Sequence, residues 1–269
     1  MPGSAFSDRT VLVTGASRGI GLATAERFHA QGARVALLAR DRQLLKEAVA
    51  RLGDRAHAVA ADVGDPGECA RAVEEVEATL GPIDVLVSCA GILKRDWIED
   101  IKVEQWDQTW RTNVSGSLWL CQRVLPGMRS RKYGRIVLVS SELGLIGGPS
   151  YGSYCASKWA LVGLAEVLAH ELKGSEVRVC AACPGDVRTE QLAEEHAWGS
   201  TGGSALEKAM SPEYAARAIV KAAAGHSAVV VIDKPQMRLA FDFLSAMPRR
   251  LRLVFVGDAF KGLTRSRAL

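Results

Sequence analysis

Tyr154 and Lys158 stand four residues apart in a segment of helical character, so their side chains project from one face. A phenol with an ordinary pKa of about 10 exchanges protons poorly at neutral pH. A neighbouring ammonium favours the phenolate, and the tuned group then acts as acid in one direction and base in the other. Ser141 lies thirteen residues before Tyr154, at the end of an apolar run. A hydroxyl in that place can hold a reacting oxygen beside Tyr154. Tyr-x-x-x-Lys arises often by chance, so its weight depends on the elements around it.

A second group of residues suits a phosphate. The apolar run Val11–Val13 leads into Thr14-Gly15-Ala16-Ser17-Arg18-Gly19-Ile20-Gly21. Glycines let the backbone turn sharply and approach a pyrophosphate closely, and the helix N-terminus behind them offers free N–H groups. An NAD site usually has an acid at the end of the second strand, for the ribose hydroxyls. Here that position is Ala39, Arg40 follows it, and Arg18 lies in the turn. Two guanidinium groups suit a 2′-phosphate by charge and by fork geometry.

The elements that must carry these residues alternate between strand and helix. Strands are expected at Val11–Val13, Arg34–Ala39, Ala56–Ala61, Ile83–Ser88, Arg135–Ser140, Glu176–Ala182 and Ala228–Ile232. Helices are expected at about Gly19–Ala30, Asp41–Leu52, from Pro66, Val103–Arg129, Tyr154–Leu172 and Ser211–Ala224. The strands read as continuous apolar runs, which marks a parallel sheet covered on both faces. The fold class is therefore α/β, a doubly wound, Rossmann-like seven-stranded sheet. Residues 1–234 form a single catalytic domain, and 235–269 a C-terminal extension. Gly199–Gly203 reads as a mobile loop.

These landmarks, in this order and up to about Ile232, resemble the short-chain dehydrogenase/reductase family. They are the Thr-Gly-x-x-x-Gly-x-Gly turn, Asp62-Val63, Ala90-Gly91, Asn113, Ser141, Tyr154 with Lys158, and Pro184-Gly185. The resemblance implies reversible hydride transfer between a nicotinamide cofactor and a ketone, aldehyde or alcohol. It selects Ser141 over Ser140 and Tyr154 over Tyr151. It implies that Lys158 holds the nicotinamide ribose and that Asn113 holds a water linked to the lysine. Gly15, Ser17, Arg18, Gly19, Ile20, Gly21, Arg40, Asp62, Val63, Ala90 and Gly91 would then contact the cofactor. Pro184, Gly185, Val187 and Thr189 would cover the nicotinamide, and Asp186 to about Leu206 would be a substrate lid.

Arg18 and Arg40 point to NADP(H), and the expected enzyme is a carbonyl reductase or alcohol dehydrogenase. The alternatives are an NAD-linked alcohol or hydroxysteroid dehydrogenase, and a catalytically silent nucleotide-binding regulator. Two residues depart from the family pattern. Cys89 stands where Asn is usual. Glu142 follows Ser141 where small or apolar residues are usual, and it is expected to meet solvent or a supporting contact more than substrate. Leu143, Leu192 and Trp198 are candidates for an apolar wall.

Composition agrees with a globular α/β chain: 269 residues, 48% hydrophobic and 24% charged, with a formal net charge of +4. From Lys234 onward there are eight Lys/Arg and two Asp/Glu, so the tail is basic and the body slightly acidic. That distribution argues against a nucleic-acid protein. Six scattered cysteines read as reduced thiols in a cytoplasmic protein, and no metal site is expected. Cys180 and Cys183 are expected to point to opposite faces of a strand as small hydrophobes. The tail reads as two short apolar helices broken at Pro248, docked on the body or on a partner subunit in preference to a membrane surface. A homodimer or homotetramer is implied by the family, whose long helices pair between subunits.

Overall fold

Each of the seven apolar runs becomes a strand of one parallel sheet. The strands are β1 Thr10–Thr14, β2 Arg34–Ala39, β3 Ala56–Ala60, β4 Val85–Ser88, β5 Gly134–Val139, β6 Val177–Pro184 and β7 Val229–Ile232. The computed structural model describes residues 5–198 and 209–236, with single positions at 238, 239, 243, 247, 248 and 251. Strand order is β3-β2-β1-β4-β5-β6-β7, and every neighbouring pair is parallel. The order reverses between β1 and β4, so a crevice opens beyond their C-terminal ends.

Alternate residues of each strand feed two apolar layers. Leu12, Ala36, Leu86, Ile136 and Ala181 pack in one with α3 (Pro66–Leu80), α5 (Gly116–Ser130) and α6 (Gly152–Glu171). Val11, Val35, Val85, Val137 and Ala182 pack in the other with α1 (Gly19–His29), α2 (Arg42–Leu52) and α8 (Pro212–Ala224). Two further helices are α4 (Val103–Trp110) and α7 (Glu190–Trp198). Cys180 and Cys183 fall in opposite layers as free, buried thiols.

Helix starts follow from local chemistry. Asp41 accepts from the N–H groups of Gln43 and Leu44, both at 3.0 Å. Asp65 accepts from the N–H of Glu68 at 2.8 Å, and Pro66 occupies the first turn where its missing donor costs nothing. Ser211 and Pro212 repeat this arrangement at α8.

The expected continuous helix over 103–129 is interrupted. A π-helical turn spans Arg111–Ser115 between α4 and α5, and it carries Asn113. The bonds that Asn113 makes to Ile92 and Ser157 hold this wider turn; helical periodicity in the sequence carries no trace of it. The loop at Gly199–Gly203 and most of the tail lie outside the described residues. Leu239, Phe243 and Leu251 of the tail are described and exposed. Among the described residues no helix is long and apolar enough to cross a membrane.

The cap at Asp65 gives a direct check on this account. Asp65→Ala should cost about 1 kcal/mol, a fall in melting temperature of about 2–4 °C for a chain of this size. An unchanged melt would show that the cap is not what anchors α3.

Candidate active site

One cavity of about 880 Å³ opens at the C-terminal ends of the strands. Its walls include Gly15, Ser17, Arg18, Gly19, Ile20, Gly21, Arg40, Asp62, Val63, Ala90 and Gly91. Ser141, Tyr154, Lys158, Pro184, Gly185, Val187 and Thr189 line it as well. Every site residue expected from the sequence is thus on the wall except Asn113.

The phosphate turn depends on contacts that only glycine permits. A Cβ on Gly21 would stand 2.2 Å from the Gly15 carbonyl oxygen. A Cβ on Gly15 would stand 2.8 Å from Ala90 Cα, and Gly15 also has φ +64°. Thr14 closes the same joint, its hydroxyl oxygen accepting from the N–H groups of Cys89 and Ala90 at 3.0 Å each. Cys89 therefore uses its backbone here, which leaves the joint intact without the usual Asn side chain. Burial pushes the Cys89 thiol up to about 11, with nearby Lys158 opposing the shift.

Arg18 precedes α1 and pairs with Glu190, the first residue of α7. Both side chains are mostly exposed. This pair was not expected from the sequence, because the two residues are 172 positions apart. Thr189, just before it, packs its methyl near Gly19 and accepts from the N–H of Leu192 at 3.3 Å. Arg40 is exposed at the end of β2, beside buried Ala39. Asp62 accepts from the N–H of Gly64 at 2.8 Å, which fixes the bend after β3.

Tyr154 and Lys158 lie on α6, 7% and 4% exposed. The Lys158 Nζ is 5.5 Å from the Tyr154 ring centre and donates to the Val139 carbonyl at 2.9 Å. Burial lowers the Lys158 pKa to about 8, while the Cys89 and Cys183 thiols act the other way. Ser141 caps a 3₁₀ turn over Glu142–Gly144 and accepts from the N–H of Leu143 at 3.2 Å, so its proton remains available to the cavity. Ser140, by contrast, spends its proton on the Lys158 carbonyl at 2.8 Å. The hydrogen bonds thus give the two serines different roles, in the same sense as the choice of Ser141 implied by the family spacing.

Asn113 is fully buried behind the wall. Its amide donates to the Ile92 carbonyl at 3.0 Å and to Ser157 Oγ at 2.9 Å, and its Oδ1 accepts from the Ile92 N–H at 2.8 Å. A Cβ on Gly91 would stand 3.2 Å from Lys158 Nζ and 3.4 Å from Asn113 Oδ1. The missing side chain of Gly91 thus leaves the space into which Lys158 Nζ and Asn113 Oδ1 both point. Ser157 was missed in the sequence, where nothing distinguishes it from other helical serines.

Glu142 lines the cavity beside Ser141 and also makes a supporting contact. A Cβ on Gly185 would stand 2.8 Å from Asp233 Oδ2 and 3.0 Å from Glu142 Oε2, so the two carboxyl groups meet beneath the Pro184-Gly185 segment. Glu142 Oε1 is buried with no hydrogen-bond partner among the described residues. Burial first, then the facing Asp233 and the Asp186 charge, push the Glu142 carboxyl up to about 8. At neutral pH it keeps its proton and donates to Asp233. Asp233 carried no signal in the sequence, since it meets Glu142 only when β7 lies beside β6.

The raised carboxyl has a consequence for stability. The unfolded chain releases this proton near 4.5, whereas the folded chain holds it to about 8. Stability should therefore fall as pH rises through that window. Glu142→Gln retains a donor to Asp233 and should flatten this part of the dependence, measured as urea midpoints from pH 5 to 8. Equal slopes in both proteins would show that the pair does not share a proton.

Comparison with known proteins agrees with this geometry. Residues 9–199 match the family model described as short chain dehydrogenase. A D-threitol dehydrogenase of Mycolicibacterium smegmatis is 37% identical over 203 residues, covering 74% of this chain and 77% of the relative. An inactive 2-(S)-hydroxypropyl-CoM dehydrogenase 2 of Xanthobacter autotrophicus is 36% identical over 190 residues, covering 71% and 79%. A 3-oxoacyl-[acyl-carrier-protein] reductase of Escherichia coli is 32% identical over 185 residues, covering 69% and 76%. With its parallel sheet, its glycine turn and its buried Tyr154–Lys158 pair, the chain belongs to the short-chain dehydrogenase family of nicotinamide-dependent oxidoreductases.

Proposed function

We propose that this chain is an NADP(H)-dependent oxidoreductase that interconverts a ketone or aldehyde with an alcohol. The observation that carries this reading is the convergence of Ser141, Tyr154 and Lys158 on the cavity that the glycine turn also lines. The cradle fits a nicotinamide dinucleotide: Gly15 and Gly21 leave room that any Cβ would fill, and the N-terminus of α1 faces it. NADP(H) is favoured because Arg18 and Arg40 line the cavity while the place of a ribose-binding acid is Ala39. Glu190 does not replace that acid, because it stands on α7 and is already paired with Arg18.

The bound nicotinamide supplies or accepts the hydride. Ser141 donates its proton to the substrate oxygen and fixes its position. Tyr154 gives a proton to that oxygen in reduction and takes one in oxidation. Lys158, charged below its pKa of about 8, stabilises the phenolate form and orients the ribose. Asn113 holds Ile92 in place and keeps its Oδ1 beside Gly91, where Lys158 Nζ also lies. Leu93, Leu143, Ile146, Tyr151 and Leu192 give the substrate end an apolar wall, which suits a substrate with an apolar part. The Trp198 side chain expected there lies outside the described residues.

Relatives bear names from both directions of the reaction, a dehydrogenase of a polyol and a reductase of an oxoacyl group. The name of another states that it is inactive, so membership alone does not secure turnover. The buried, correctly spaced set around Tyr154 supports an active enzyme over a silent nucleotide binder. A homo-oligomer is also part of this reading, supported by exposed Ile98 just before α4 and by Val103, Trp106, Leu118, Trp159 and Val167 along α4 to α6.

Two measurements test the reading. Tyr154→Phe should lower kcat for carbonyl reduction by about 100-fold or more while cofactor affinity stays unchanged; retained turnover would remove Tyr154 from the chemistry. Arg40→Ala should weaken NADPH binding about tenfold, the loss of one charge-assisted contact, and leave NADH binding as it was. Equal or tighter binding of NADH by the unaltered protein would overturn the NADP(H) assignment.

A further inference from the structure

Arg95 is charged yet only 5% exposed, and it does not line the cavity. Its guanidinium donates from Nε at 3.2 Å and from a terminal nitrogen at 3.0 Å to the same acceptor, Ser150 Oγ. It also stacks on the Tyr151 ring, 4.6 Å from the ring centre. Burying a guanidinium is costly, so a buried one in a fixed geometry needs a compensating return.

Ser150 is an unusual residue to find at the other end. It is buried, and its φ is +68°, a left-handed conformation that L side chains avoid. Its carbonyl accepts from the N–H of Asp96 at 2.9 Å, and Asp96 forms a parallel bridge with Tyr151. Arg95 and Asp96 thus grip one point of the chain from the segment that follows β4. Directly after that point α6 begins at Gly152 and carries Tyr154. Tyr151, Tyr154 and Cys155 then form a small apolar cluster with Leu93 and Leu143.

We infer that Arg95 is a positioning residue: it holds Ser150 in its left-handed conformation and backs Tyr151, and so sets where α6 presents Tyr154 to the substrate. The role in turnover rests on the proposed chemistry of Tyr154; the clamp itself does not. Two strands contribute, because the grip joins the loop after β4 to the loop after β5. Substrate wall and acid–base group therefore move as one piece.

The test uses Arg95→Met, which keeps the apolar stem and loses the donors, Ser150→Gly, which adopts positive φ freely, and the double variant. Hydrogen exchange in the unliganded full-length protein reads the clamp without any substrate. Arg95→Met should speed amide exchange at least tenfold in residues 92–96 and 148–155, with residues 10–60 unchanged. Turnover of a panel of aliphatic and aryl ketones with NADPH should fall about tenfold in each single variant, with the KM for NADPH unchanged. The double variant should recover to within about threefold of the unaltered protein, because glycine no longer needs the guanidinium and no buried donor is left unpaired. Unchanged exchange in Arg95→Met, or losses in the double variant that merely multiply, would overturn the inference. Faster exchange across the whole chain would do the same, since Arg95 would then support global folding. If Tyr154→Phe retains turnover while Arg95→Met still loosens 148–155, the catalytic reading fails and the clamp stands.

Discussion

The burial of one ammonium group governs the architecture of the site. Lys158 is enclosed at 4% exposure, and removing a charge from water is unfavourable unless nearby groups replace the lost hydration. Its carbonyl partner is Val139, the last residue of β5, so the end of that strand is fixed in relation to α6. Ser140 strengthens the link by donating to the Lys158 carbonyl, one residue beyond Val139. Gly91 leaves the space on the other side, and Asn113 closes it. Burial lowers the lysine pKa to about 8, with the Cys89 and Cys183 thiols acting the other way.

The cofactor end obeys a steric constraint. Gly15, Gly21 and Ala90 approach so closely that β1, β4 and α1 meet at nearly zero side-chain thickness. Thr14 bridges the meeting point with two accepted hydrogen bonds. This joint lies where the strand order reverses, and the crevice there exists because helices leave the sheet on opposite faces. The lysine enclosure sits one strand further along, so the glycine turn and the Tyr154–Lys158 pair share a single cavity. Parallel strands make this arrangement natural, since all their C-terminal ends emerge on the same side.

Much of this was legible in the sequence because it depends on local pattern. Continuous apolar runs marked a buried parallel sheet, and Asp65-Pro66 and Ser211-Pro212 marked helix starts. Glycine spacing and Tyr154 with Lys158 marked the site. Pairings between distant segments were not legible. Glu142 meets Asp233 only because β7 lies beside β6, and Arg18 meets Glu190 only because α7 returns over the phosphate turn. Periodicity likewise gave one helix over 103–129, whereas the hydrogen bonds of Asn113 require the π-helical turn at Arg111–Ser115. Ser150 shows the same limit from the side of the backbone: its positive φ is set by Arg95 and Asp96, and serine itself does not ask for it.

Burial shifts Lys158 and Glu142 in opposite directions. Burial takes the lysine down to about 8 and the carboxyl up to about 8. Below that pH the lysine is charged and Glu142 neutral, so this pair contributes net positive charge. Above it the lysine loses its proton and the carboxyl loses its own, so the contribution turns negative. Burial raises the Cys183 thiol, and of the two groups Lys158 lowers it and Glu142 raises it. In the proposed reduction, the charge developing on a carbonyl oxygen would be anionic and would be served by the positive state. A negative state opposes it and also opposes a phenolate at Tyr154. Glu142 next to Ser141 thus ties the electrostatics of this end of the cavity to the Pro184-Gly185 segment, where it faces Asp233 beneath Gly185.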